Sequence, residues 1–278
     1  MNNRFTLITG ASTGIGKAIA ECCASRGMDL ILVALPGENL EEISYAIAGE
    51  HHVKSHFLEI DLTTPHAARY LFKWCAEQQL QVNVLINNAG IGYEGNFSDF
   101  EPSFYENLLS LNVVALTVLT REFLPELKHQ KDAAILNVGS FGGYYPMPYK
   151  AVYAASKSYV ISFSEALHEE LKNTSVNVSL LCPAGVDSYQ DSSTRIDKIG
   201  WIAQAGRLTP RDVALAAVDG ILKRKRRIIP GAMNKFFYYV SKPLPTRLKA
   251  WLIHFVLTRF HTAPKAMVST RAGRKTTF

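Results

Sequence analysis

Cysteine is scarce in this chain of 278 residues: Cys22, Cys23, Cys75 and Cys182 are the only four, and their spacing matches no metal-ligand pattern. Adjacent Cys22 and Cys23 are poor candidates to bridge each other, so no disulfide framework is expected and a reducing compartment fits best. No secretory leader is expected either, since "MNNRFTLITGAS" runs straight into a strand and a glycine-rich turn. The expectation is a chain that starts at its fold and works in the cytoplasm. No uninterrupted apolar run reaches the roughly 18 residues a spanning helix needs, although "FFYYV" and "WLIHFVL" near the C-terminus are greasy. Internal repeats, linkers and low-complexity segments are absent as well. Neither sign of charge dominates: 30 Lys and Arg against 24 Asp and Glu give +6. The densest basic run, "KRKRR" at 223–227, follows the helical pattern "RDVALAAVDGILK" and precedes the apolar "IIP". With no aromatics interleaved, it reads as a solvated helix end turning into an edge strand, and no nucleic-acid partner is expected.

What is present is a rhythm. Short apolar runs ("FTLIT", "DLILVAL", "KSHFLEIDL", "VNVLINNAG", "AAILNVGS", "VNVSLLCPAG") alternate with longer helical patterns. Nearly continuous apolar strands separated by helices are the pattern of a parallel sheet covered on both faces. The fold class expected is α/β, a Rossmann-like doubly wound parallel sheet in a single domain. Residues 1–230 are expected to form the sheet with its helices, and 231–278 a helical extension beyond it. The polar stretch from Asp187 to Lys198 precedes a helix expected near Thr209 and Pro210. A connection of that length is the usual form of a substrate lid.

Two local patterns carry chemistry. Between the first strand and the first helix lies "TGASTGIG", with Gly10, Gly14 and Gly16. Glycine permits a tight turn, a close approach of backbone to a diphosphate and close helix-on-strand packing, while the helix N-terminus favours an anion. In "VYAASKSYV", Tyr153 and Lys157 are four residues apart and share a helix face, with only Ala154, Ala155 and Ser156 between them. An ammonium beside a phenol favours phenolate and lowers its pKa, which general acid/base work at neutral pH requires.

With "TGASTGIG", "NNAG" at 87–90, Ser140 ending a strand and "YAASK" at 153–157, the chain resembles the short-chain dehydrogenase/reductase family from Arg4 to about Pro230. The resemblance implies an NAD(P)-dependent oxidoreductase in which Tyr153 passes a proton to a carbonyl oxygen while the nicotinamide delivers hydride to carbon, or the reverse. Lys157 would lower the phenol's pKa and hold the nicotinamide ribose, Ser140 would orient the substrate oxygen, and Asn112 would sit at a helix irregularity that lets protons reach solvent. The same resemblance implies a cofactor groove of Gly10, Ser12, Thr13, Gly14, Ile15 and Gly16, with Asp61 and Leu62 toward the adenine. Asn88, Ala89, Gly90 and Pro183 would line the rest of it, together with Tyr153 and Lys157.

Two departures bear on the cofactor. After the second strand, Ala34 and Leu35 supply neither the acid that would accept from ribose hydroxyls nor the arginine that would pair a ribose phosphate. Absence of the acid leans toward NADP over NAD, with Lys17 in support and Glu38 arguing the other way. "CPAGV" at 182–186 also differs from the family's Pro-Gly pair, which leaves the contacts beyond Pro183 open. On the substrate side, "GYEGNF" with Tyr93, "FGGYYPMPY" with Phe141, Tyr144 and Tyr145, and the loop 186–207 suggest a lipophilic carbonyl or alcohol as the small-molecule partner. The aromatic and basic tail, with Lys242, Arg247, Lys249 and Arg259, would roof the pocket, dock a second subunit of a homo-oligomer, or touch a membrane surface, in that order. A catalytically silent dinucleotide sensor or scaffold is the rival reading. No metal is expected.

Overall fold

Apolar runs without polar alternation form the centre of the molecule. In the computed structural model, which describes residues 4–186, 208–251, 253 and 267–269, the chain opens with β1 (Arg4–Thr9), α1 (Gly14–Ala24), β2 (Asp29–Ala34), α2 (Leu40–His51), β3 (Ser55–Glu59), α3 (Ala67–Glu77) and β4 (Gln81–Asn87). After a short β5 (Gly92–Glu94) come α4 (Pro102–Leu109), α5 (Leu116–His129), β6 (Ala134–Val138), α6 (Ala151–Leu171) and β7 (Asn177–Leu181). The series closes with α7 (Pro210–Leu222), β8 (Arg227–Ile228), α8 (Ala232–Ser241) and β9 (Met267–Ser269).

Seven strands make one parallel sheet in the order β3-β2-β1-β4-β6-β7-β8. Every residue of β6 and β7 is buried. That explains the missing alternation, because both strand faces are covered. Along β2, Leu30, Leu32 and Ala34 face a core shared with α1, α2 and α7, while Ile31 and Val33 face one shared with α3, α5 and α6. The doubly wound sheet is therefore as the sequence implied. Its order reverses between β1 and β4, and such a reversal opens a crevice at the carboxyl ends of the strands.

α4 runs into α5 through a wide π turn at Ser110–Ala115. The continuous helix Pro102–His129 is long and apolar enough to cross a membrane. Here it is a core helix, with Leu111, Leu119, Phe123 and Leu127 buried against the sheet. α7 begins as expected, with Pro210 in its first turn and a reciprocal capping box between Thr209 and Asp212, a device worth about 1 kcal/mol. The basic run after it leads into the edge strand β8. There Arg226 pairs with Glu165 and Glu169, and Arg227 with Glu165.

The C-terminal extension is not wholly helical. β9 returns to pair antiparallel with β5, Tyr93 opposite Val268, so distant backbone lies beside the strand that follows the "NNAG" segment. The loop expected over the substrate lies outside the described residues from 187 to 207.

Candidate active site

The crevice is built first from backbone. Gly10 and Gly14 adopt φ of 63° and 56°, in the left-handed region that costs other residues strain. A Cβ on Gly16 would lie 2.0 Å from Gly10 O and 2.4 Å from Asn88 Nδ2, so α1 packs on the turn with no room for a side chain. Asn88 then ties the turn to β4: its Nδ2 donates to Thr9 O at 2.8 Å and Gly10 O at 3.1 Å. Thr9 Oγ1 in turn accepts from Asn88 N at 3.0 Å and Ala89 N at 2.9 Å. At the start of α1, Thr13 makes no side-chain cap and the first turn holds no acid. The positive end of that helix and its first N–H groups suit an anion such as a diphosphate. These features fit a dinucleotide.

Tyr153 and Lys157 stand on α6, which faces the crevice. Lys157 is buried and donates from Nζ to Val138 O at 2.9 Å, and its Nζ lies 5.9 Å from the centre of the Tyr153 ring. Gly90 is what lets the groups meet, for a Cβ there would lie 2.9 Å from Asn112 Oδ1 and 3.4 Å from Lys157 Nζ. Asn112 sits inside the π turn, buried, and brackets the backbone of Ile91: Oδ1 accepts from Ile91 N at 2.8 Å, and Nδ2 donates to Ile91 O at 3.0 Å and Ser156 Oγ at 3.1 Å. Its amide is thus both a satisfied core group and part of a helix irregularity. Ser140 follows β6, accepts from Gly142 N at 3.1 Å, and hydrogen-bonds the Tyr153 phenol.

The surroundings of the phenol act on it in both directions. Burial pushes the Tyr153 pKa above its ordinary value, the Ser140 hydrogen bond draws it down, and the neighbouring Cys182 pushes it up again. Desolvation of the anion is the largest of these effects, while the Lys157 ammonium, held on Val138 O, stands over the ring.

Other expected residues divide. Pro183 is buried where the chain leaves β7, with its carbonyl accepting from Phe141 N at 2.9 Å. Leu62 is buried, and Asp61 Oδ1 accepts from Thr63 N and Oγ1 at 2.8 and 2.7 Å, closing its own turn after β3. Tyr93 does not face an open pocket: it is buried among Phe100, Phe104 and Tyr105, with its hydroxyl accepting from Val152 N at 3.0 Å. Tyr144 and Tyr145 are occupied with α8, the first 4.9 Å ring to ring from Tyr238, the second 2.6 Å from Ser241 Oγ. Among the described residues no group of three His, Cys, Asp or Glu is gathered to hold a metal.

One residue carries more weight than its sequence position suggests. Glu38 reaches back from the turn after β2 to accept from Ser12 Oγ in the glycine-rich turn. Its other oxygen, Oε1, is shielded from solvent with no hydrogen-bond partner. The carboxylate that the sequence set against NADP thus reaches the turn from four residues beyond the strand end, where Ala34 and Leu35 supply none. Gly37, with φ of 81°, lets the chain double back.

The sequence profile of the short chain dehydrogenase family matches residues 4–198. Among curated relatives, very-long-chain 3-oxoacyl-CoA reductase-B of Danio rerio is 31% identical over 201 residues, which cover 70% of this chain and 62% of that protein. The chain thus spans less than two thirds of that relative. Ketoacyl reductase HetN of Nostoc sp. is 28% identical over 260 residues, 90% of each chain. Among solved structures, a short-chain dehydrogenase from Sphingobium yanoikuyae in complex with NADPH superposes with a TM-score of 0.74 at 27% identity, covering 94% of this chain and 98% of that one.

Proposed function

Because the chain belongs to the short chain dehydrogenase family, we propose that it is an NAD(P)-dependent oxidoreductase interconverting a ketone and a secondary alcohol on a lipophilic substrate. The observation that carries this reading is the convergence of Ser140, Tyr153, Lys157 and Asn112 at the crevice beside the Gly10–Gly16 turn. A silent sensor has no use for a phenol paired with a serine hydroxyl there. The chemistry the dinucleotide supplies when bound is hydride exchange with the carbonyl carbon.

The chain's own groups do the rest. Ser140 holds the substrate oxygen toward Tyr153, whose hydroxyl gives the proton in reduction and takes it back in oxidation. Burial keeps the phenol protonated, with a proton to give, and the Ser140 hydrogen bond draws its pKa back toward the working range. Lys157, fixed on Val138 O, and Asn112, fixed on Ile91, hold the floor of the crevice in register with α6. Gly10, Ser12, Thr13, Gly14, Ile15, Gly16, Asn88, Ala89, Gly90 and Pro183 would hold the dinucleotide, with Asp61 and Leu62 at its adenine end. NADPH in the Sphingobium structure supports the phosphorylated form, while the Glu38 carboxyl held on Ser12 of the glycine-rich turn supports the unphosphorylated one.

The names of the relatives support a 3-oxoacyl thioester as the substrate class. Exposed Leu109, Val114 and Val118 along α4 and α5 support self-association. Purified chain should oxidise NADPH or NADH with a long-chain 3-oxoacyl thioester and much more slowly with a small hydrophilic ketone. Equal rates on both would defeat the lipophilic assignment, and no turnover with any ketone would favour the sensor.

A further inference from the structure

The positive charge of the chain is concentrated at one end. From Ile228 to Phe278 the sequence has nine Lys and Arg and no Asp or Glu, whereas the residues before it hold 21 basic and 24 acidic side chains. α8 opens this stretch and has two faces. On one, Asn234 is buried and donates to Pro230 O at 3.0 Å, Tyr238 packs on Tyr144 and accepts from Arg227, and Ser241 meets the Tyr145 hydroxyl. On the other, Phe236, Tyr239 and Val240 stand side by side at helical spacing, 59%, 67% and 53% exposed, and Trp251 beyond the helix is 60% exposed. Lys235 and Lys242 flank the stripe and Arg247 follows it, all three exposed. Arg226 and Arg227, by contrast, are engaged by Glu165 and Glu169 and take no part.

Large aromatic side chains held in water beside unopposed cations are the composition of a helix that lies in a bilayer interface, rings among the acyl boundary and cations among headgroups. The residues before Ile228 are nearly balanced, 24 acidic against 21 basic, whereas an anionic bilayer meets these cations with charge of a single sign. We propose that the Phe236–Tyr239–Val240 face of α8, with Lys235, Lys242 and Arg247, docks on an anionic lipid bilayer. Because the inner face of the same helix holds Tyr144 and Tyr145 on the loop after Ser140, docking sets the substrate side of the crevice at the lipid surface. This surface stands on charge and exposure alone, independent of the oxidoreductase reading.

The test is flotation of the full chain with phosphatidylcholine vesicles, with and without phosphatidylglycerol. The expected result is co-flotation only when phosphatidylglycerol is present, lost in high salt. Each cation at such a surface adds about fivefold to partitioning, so Lys235→Glu with Lys242→Glu should abolish flotation. Phe236→Ser, Tyr239→Ser and Val240→Ser together should weaken it at least about tenfold, while circular dichroism stays unchanged. Failure of the wild-type chain to float overturns the proposal. So does flotation indifferent to both sets of changes, retention of a DNA duplex at the same face in place of vesicles, or a change in oligomer size on removing the stripe.

Discussion

A single methyl group at Gly16 should separate the dinucleotide site from the rest of the fold. In Gly16→Ala the new Cβ would sit 2.0 Å from Gly10 O, 2.8 Å from Gly10 C and 2.4 Å from Asn88 Nδ2. Backbone carbonyls cannot swing aside as a flexible side chain can, so either the turn or α1 must shift. The shift breaks the two bonds that Asn88 Nδ2 makes to Thr9 O and Gly10 O. At about 1 kcal/mol for each bond and about 1–3 kcal/mol for overpacking, the penalty is about 3–5 kcal/mol. Gly49→Ala is the internal control: it lies in α2 with nothing within 4 Å of its Cβ, and should stabilise the protein by about 0.5–1 kcal/mol. Urea unfolding measures both changes, and titration of nicotinamide fluorescence measures dinucleotide affinity. The expected outcome is lost stability and a loss of affinity of at least about tenfold for Gly16→Ala, with neither in the control. Gly16→Ala that binds and unfolds like wild type would refute the steric argument and the placement of the dinucleotide on this turn.

Other outcomes follow from individual contacts. Glu38→Gln removes the charge beside Ser12, so the affinity for NADPH relative to NADH should rise by about tenfold or more, read by the same titration; an unchanged ratio removes Glu38 from the ribose end. Ser140→Ala removes the hydrogen bond that lowers the Tyr153 pKa, so that pKa rises further. In alcohol oxidation, where the phenolate is the active base, the rising limb of the pH–rate profile should then move to higher pH. A limb that stays in place or moves lower would show that Ser140 does not act on the phenol.

Much of this arrangement was legible in the amino-acid order because its causes are local. A glycine after a strand, a helix starting behind it and a Tyr–Lys pair at one-turn spacing each report a backbone geometry fixed within a few residues. Thr209, Pro210 and Asp212 likewise announced α7 through capping chemistry alone. The rest depends on contacts between distant segments. Tyr93 follows a strand end, as pocket residues do, but its ring is claimed by Phe100, Phe104 and Tyr105. Glu38 acts on Ser12, 26 residues away, and only the left-handed Gly37 brings the two together. β9 has no alternation of its own and becomes a strand by borrowing the edge of β5. Spacing likewise shows the ammonium next to Tyr153 but not the burial that pushes the phenol's pKa up.

The central claim is that the Tyr153 hydroxyl moves the proton, and Tyr153→Phe tests it most directly, since it removes one oxygen and keeps the ring. Turnover and dinucleotide affinity should be measured on the same preparation. Affinity within about threefold of wild type with turnover reduced at least about a thousandfold is the predicted result. Turnover retained at the wild-type rate would contradict it.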